Sequence, residues 1–248
     1  MTAHEQTNRW HTMTAHIVRH TPFLGLVLAL ALACLTQAGA QQRDRSMQTV
    51  SEFPIVGDEG HRVPNHTVKL LGPIDKLPGV VTVGNPDGKA ALVEFYDLNC
   101  PYCRIASADI SDLLDVDSDM KLVLVPYPVL GPASLAASRV ELAVAKLGTP
   151  QRFYDFHRKV YSQHGTTDGP RALAVARDLG FDEMRINAVA EREETVHTIR
   201  DLIHLGETLG LAATPSFIVG NVAVLGYPGR HRLQSIVEAS GTCGKVMC

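Results

Sequence analysis

Apolar and polar positions alternate with two different periods along this chain. Val80-Val-Thr-Val83, Ala91-Leu-Val-Glu-Phe-Tyr96 and Lys121-Leu-Val-Leu-Val125 are short β-rich runs, the first two separated by the turn signal Asn85-Pro-Asp-Gly88. Between the second and third runs, Ile105, Ile110, Leu113 and Leu114 fall on one face of a helix predicted from Tyr102 to about Leu114, and the Asp115–Asp119 stretch ends it. The pattern then becomes helical. One helix is expected over Ser134–Leu147, stopping at Gly148, and another carries Phe153, Phe156 and Val160 on one face. A third has Asp168 at its start, Pro170 in its first turn and Gly180 after its end. A last one covers Asp182–Leu209, with room for a break. Ser216–Val219 and Val222–Leu225 around Gly220-Asn221 read as a hairpin, and a helix over His231–Ala239 closes the order β-β-α-β, helices, β-β-α.

The two ends of the chain read differently. Phe23–Leu35 is an apolar run preceded by Arg19 and His20 and followed by Ala38-Gly39-Ala40, the layout of a secretory signal cut after Ala40. As a helix it would extend about 20 Å, short of the roughly 30 Å of a bilayer core. Met13-Thr-Ala-His repeats Met1-Thr-Ala-His, and either start leaves the same mature chain. Cys34 could be read as a lipid anchor, but Ala31-Leu32-Ala33 fits a lipoprotein signal poorly, so Cys34 is expected to leave with the signal. Residues 41–77 hold Pro54, Gly57, Gly60, Pro64, Gly72 and Pro73 and read as an irregular lead-in with at most a strand at Val68–Leu71. The expected division is a signal peptide at 1–40, a lead-in at 41–77, a sheet domain from 78–130 and 211–242, a helical insertion at 131–210 and a tail at 243–248.

The 248 residues are 45% apolar and 20% charged, a globular balance that argues against disorder and multi-span membrane classes. A net charge of -3 supplies no basic field for nucleic acid. The chain is also long enough to bury a core without staples, so its cysteines need another explanation. Four of the five, Cys100, Cys103, Cys243 and Cys248, lie after the signal and would meet an oxidising compartment.

Cys100-Pro101-Tyr102-Cys103 sits at a strand-to-helix junction, which sets the first sulfur at the helix start and the second one turn on. Free N–H groups and the positive helix end favour the thiolate there, where a cysteine pKa near ~8.5 can fall to roughly 3.5–7.5. Pro101 suits the first helical turn. Zinc shared with Cys243 and Cys248 is the weaker reading, because the second pair is spaced C-x4-C and distant; a purely structural disulfide would strain a good helix start. Far downstream, Thr214-Pro215 heads a buried-looking strand, a place where prolines are often cis.

These two motifs together resemble the thioredoxin superfamily. The helical stretch between them, the export signal and Leu92-Val93-Glu94-Phe95 make the chain similar to the DsbA-like family of periplasmic thiol–disulfide oxidoreductases. The resemblance implies an α/β, thioredoxin-like fold with an inserted helical domain, Cys100 as attacking cysteine, Cys103 as resolving cysteine and Pro215 as a cis residue beside them. It implies that Thr214 offers backbone groups to an extended substrate, that its side chain tunes the pair, and that Glu94 is a buried acid passing protons to or from Cys103. No cofactor or metal is implied. The partners would be thiol-bearing exported proteins and a quinone-linked membrane protein that reoxidises the pair. Pro101-Tyr102 departs from the Pro-His of the best-known members, which removes one donor to the thiolate.

Three alternatives stay open. The same site serves a reductase or isomerase, and two thiolates alone would serve a non-catalytic metal carrier. Cys243 and Cys248 are expected to form a local disulfide tying down the tail, with a second redox pair as the other reading. His157, His164, His197, His204 and His231 are expected on helix surfaces, and Asp115, Asp117 and Asp119 in a solvated turn rather than a calcium loop.

Overall fold

The computed structural model describes residues 51–248. The expected signal peptide, the two candidate starts and Cys34 lie outside the described residues.

Six strands form one mixed sheet in the order β1-β6-β5-β3-β4-β2. They are β1 (Asn65–Thr67), β2 (Val81–Gly84), β3 (Ala90–Tyr96), β4 (Met120–Pro126), β5 (Ser216–Val219) and β6 (Val222–Leu225). Only β3 and β4 pair in parallel, from Ala90 opposite Met120 to Tyr96 opposite Pro126; the other pairings are antiparallel. The parallel pair needs a crossover, supplied by α1 (Pro101–Val116). Because side chains alternate along a strand, β3 turns Leu92, Glu94 and Tyr96 to one face and Val93 and Phe95 to the other.

Each face is covered. On the Glu94 face lie α1, α2 (Pro132–Leu147), α3 (Pro150–Tyr161), α4 (Gly169–Asp178), α5 (Glu183–Ala190) and α7 (Arg230–Cys243). On the Phe95 face, α6 (Glu193–Thr208) packs Leu202 against Val123, Val125 and Tyr127. The stretch 131–210 thus divides, α2–α5 on one side of the sheet and α6 on the other. Gly206 permits this closeness: a Cβ there would lie 2.5 Å from the Tyr127 ring.

Helix starts follow their caps. The Thr149, Asp168 and Asp182 side chains accept N–H bonds at the starts of α3, α4 and α5, and proline opens the first turn of α1 through α4. Three expectations are corrected. The lead-in strand is not Val68–Leu71 but Asn65–Thr67, fixed on the sheet edge by Asn65, whose buried amide bonds the backbone of Phe53 and Val63. Leu71 is exposed instead. The break allowed for in the Asp182–Leu209 helix falls at Glu191–Arg192, and Thr195 anchors the second part by donating to the Val189 carbonyl. Ile105 does not share the buried stripe of α1, which consists of Cys103, Ala106, Ser107, Ile110 and Leu113. The last helix runs to Cys243, four residues beyond the expected end, and is closed by left-handed Gly244.

Candidate active site

β3 ends at Tyr96, and the chain must turn sharply to start α1 at Pro101. Asp97 makes that turn. Its buried carboxylate accepts the Asn99 N–H (2.8 Å), the Ser134 hydroxyl (2.7 Å) and the Leu130 N–H (2.9 Å), while its carbonyl accepts the Cys100 N–H (2.9 Å). Asn99 ties the same turn to the loop before α4: its amide donates to the Thr167 carbonyl (2.9 Å) and accepts the Thr167 N–H (2.7 Å). Sequence reasoning missed both residues, although Asp97-x-Asn99 directly before a helix is a readable turn signal.

Cys100 is the N-cap of α1, and its sulfur accepts the Cys103 N–H at 3.3 Å. The Cys100 thiol donates to the Thr214 carbonyl at 3.1 Å, and the Thr214–Pro215 peptide bond is cis. Both cysteines are free thiols. Hydrogen bonding from the Cys103 side chain outweighs burial and, with the Thr214 side chain and the N–H groups of Cys103 and Tyr102, brings the Cys100 pKa down to about 6. Cys103, one turn deeper and fully buried, is pushed well up by burial, by its bond to Cys100 and by the charge of Glu94. The two sulfurs are polarised in opposite senses.

Glu94 lies in the interior of the sheet and is 1% exposed, with neither carboxylate oxygen hydrogen-bonded. Burial, then the nearby Cys100 charge, push its pKa up to about 8. At neutral pH it holds its proton, as a buried carboxyl without bonds must.

Tyr102, 60% exposed, and Thr214 flank Cys100 on the rim of an open groove of about 520 Å³. Its other wall comes from Tyr227 and from His61 and Arg62 of the N-terminal segment. The structure therefore gathers Glu94, Cys100, Pro101, Tyr102, Cys103, Thr214 and Pro215 into one place. Cys243 and Cys248 lie apart, bonded to each other with a Cα–Cα distance of 6.3 Å. Among the described residues no group of three or more His, Cys, Asp or Glu side chains is placed to hold a metal ion.

The expectation of surface histidines fails at His157, which is 1% exposed. Its ring stands edge-on to Tyr96 (4.5 Å between centroids) and Tyr161 (4.8 Å), and its Nδ1 lies 3.7 Å from Oε1 of Glu141, which is itself wholly buried. The Tyr96 hydroxyl donates to the same oxygen at 2.7 Å. No sequence motif marked this pair, since its members come from different helices.

A family model described as a DSBA-like thioredoxin domain matches residues 91–238. A thioredoxin-like oxidoreductase from Silicibacter pomeroyi is 32% identical, with 69% of this chain and 99% of that one covered and a TM-score of 0.62. The thiol–disulfide exchange protein alpha-DsbA2 from Wolbachia pipientis is 28% identical, with 64% and 85% covered and a TM-score of 0.59. Disulfide bond formation protein D of Bacillus subtilis is 22% identical over 172 residues, which is 65% of this chain and 77% of that protein. A Na(+)/H(+) antiporter NhaA 1 from a Mycobacterium strain is 26% identical over 159 residues, but the chain spans only 25% of the antiporter's length.

Proposed function

The chain belongs to the DSBA-like thioredoxin domain family and has its thioredoxin-like α/β fold, and from that premise we propose that it is a periplasmic thiol–disulfide oxidoreductase that introduces disulfides into exported proteins. The observation that carries the reading is the placement of the pair: Cys100 caps α1 with its sulfur between the Cys103 N–H and the Thr214 carbonyl, and Cys103 lies fully buried one turn on.

The oxidised protein holds a Cys100–Cys103 disulfide. A substrate thiolate attacks Cys100 Sγ, the Cys100–Cys103 bond breaks, and its electron pair passes to Cys103 Sγ. Cys103 does not persist as a thiolate in its buried position, so it takes a proton, which Glu94 holds at neutral pH. A second substrate thiolate then attacks the substrate sulfur of the mixed disulfide, and Cys100 leaves as a thiolate. A pKa of about 6 makes it about nine-tenths ionised at pH 7, against about one hundredth at an ordinary 9. That makes it a good leaving group and stabilises the reduced protein, the property of a dithiol oxidant. Thr214 presents its backbone to the extended substrate, and the groove beside Tyr102 takes the flanking residues. The reduced pair returns its electrons to a membrane, quinone-linked partner. The Cys243–Cys248 bond ties the tail to the end of α7.

A Cys103→Ser variant tests the reading, because it forms the mixed disulfide at Cys100 and cannot resolve it. Incubated with a disulfide-bearing unfolded protein, it should accumulate a covalent adduct on a non-reducing gel, and Cys100→Ser should not. Absence of the adduct, or an adduct formed through Cys103, overturns the proposal. Unimpaired exchange with loss of bound metal in Cys103→Ser would instead select the thiolate metal carrier.

A further inference from the structure

The segment before β1 lies outside the residues that the family model matches, yet it builds one wall of the groove beside Cys100. Ile55–Val63 folds into a two-stranded ribbon. Gly57 donates its N–H to the His61 carbonyl (2.9 Å), Val63 donates to the Ile55 carbonyl (3.0 Å), and Val56 faces Arg62 between these two bonds. In an antiparallel pair flanked in this way, the N–H and C=O groups of the two central residues point outward, away from each other. The Val56 edge is taken, because its carbonyl accepts the Arg232 Nε–H at 2.6 Å. The Arg62 edge is open: neither its N–H nor its C=O meets a hydrogen-bond partner among the described residues.

The ribbon is fixed to the body of the protein. The Asp58 carboxylate accepts the His231 and Arg232 N–H groups (2.9 Å each) at the start of α7, and the Asp58 N–H donates to the Pro228 carbonyl (2.9 Å). Ile55 is buried and lines a small cavity together with Val246 of the tail. A wall held in this way is already ordered, so a ligand that docks on it does not have to order it.

The direction of the open edge follows from the sheet. Main-chain groups two residues apart on a strand point the same way, and the Pro64 carbonyl accepts the Leu225 N–H of β6 at 2.8 Å. Arg62 therefore faces the line of β6, just beyond the place where β6 ends at Leu225 and the chain turns off at Gly226, whose φ is 86°. β5 lies on the far side of β6, and Thr214 stands two residues before it begins. Lines two strands apart are about 9.5 Å from each other, which leaves the width of one strand between Arg62 and Thr214. Both residues line the groove, together with Leu225 and Gly226.

We infer that the Arg62 main chain is a second docking edge for the protein substrate: an extended polypeptide lies in the slot past the end of β6, its cysteine toward Thr214 and the next residue bonded to Arg62. The alternation follows from strand geometry, since neighbouring residues turn their N–H and C=O groups to opposite edges. The inference rests on the exchange reading above and narrows its substrate to a chain with an unblocked peptide unit beside the cysteine. Recognition is by main-chain groups, so the slot accepts many sequences. The charged side chains around it do not provide it. Asp58 caps α7, Arg230 is held by Asp109 (3.0 Å) and Asp112 (2.7 Å), and Glu59, His61 and Arg62 extend into solvent.

The test is the steady-state oxidation of a dithiol peptide, Cys-Ala-Ala-Cys flanked on both sides by Ala and Ser, with glutathione disulfide regenerating the protein. Arg62→Pro removes the N–H that the ribbon itself does not use, at an edge position where proline is tolerated. It should raise KM about fivefold, the worth of one net hydrogen bond, with little change in kcat. Arg62→Ala keeps the main chain and should restore the parent KM. On the parent protein, where no change of fold enters, the same peptide N-methylated at the residues adjoining its cysteines should also show a KM raised about fivefold. An unchanged KM in Arg62→Pro, an unchanged KM on N-methylation, or a rise in Arg62→Ala as large as in Arg62→Pro overturns the inference. A parent protein that does not oxidise the unmodified peptide overturns the exchange reading itself, and this inference with it.

Discussion

Replacing Glu94 by Gln should stabilise the protein at neutral pH while slowing it. The carboxyl has an ordinary pKa of 4.5 when unfolded and one of about 8 in its buried position. The folded state therefore binds the proton more tightly, and the group's contribution to stability is complete below pH 4.5 and is lost as the pH rises through 8. Each pH unit in that window removes about 1.4 kcal/mol, so by pH 7 Glu94 destabilises the fold by about 3 kcal/mol relative to acid. Glutamine has the same shape and no charge to bury, so it should recover most of this, equivalent to about 6–12 °C in Tm for a chain of this size. The assay is urea unfolding of the dithiol form at pH 5, 6, 7 and 8 for both proteins. The difference between them should widen by about 2.5 kcal/mol from pH 5 to pH 7. A difference that stays constant with pH would refute the reasoning, since it would mean that Glu94 is either solvated or paired.

Two further outcomes follow from the hydrogen bonds and burial of the site. The alkylation rate of the reduced protein should titrate with a midpoint near pH 6 at Cys100, while Cys103 stays unreactive through pH 9; a single midpoint between 8 and 9 would contradict the polarised pair. Asn99→Ala strands the N–H and the carbonyl of Thr167 and should lower unfolding free energy by about 2 kcal/mol, measured by urea unfolding, with a loss below about 0.5 kcal/mol counting against the clasp.

The central strands and the cysteine turn were legible in the sequence because their signals are local. Ala91–Tyr96, Lys121–Val125 and the Ser216–Leu225 hairpin are apolar runs closed by turn residues, and Cys100-Pro101 announces a helix start by itself. What pairs across the fold was not legible. Asn65–Thr67 is a strand only because β6 lies beside it and the Asn65 amide clasps the backbone of distant Phe53. Ile105 reads as core by spacing but faces out, because α1 begins at the protein surface and buries the stripe of Cys103 and Ala106 instead. His157 looks like one more surface histidine until Glu141, one helix earlier, comes to face it. Periodicity reports which face of an element is buried, but not which polar residue will be matched there by another element.

The most direct test of the account is the equilibrium between the Cys100–Cys103 pair and glutathione at pH 7, with Cys243 and Cys248 both changed to Ala. A thiolate near pKa 6 is stabilised more than that of thioredoxin, at about 7, and less than that of the strongest oxidants, at about 3.5. The account predicts a reduction potential between about -270 and about -120 mV, the values that accompany those two extremes. A value at or below about -270 mV would contradict it, because the pair would then hold its disulfide too firmly to donate it and would act as a reductase.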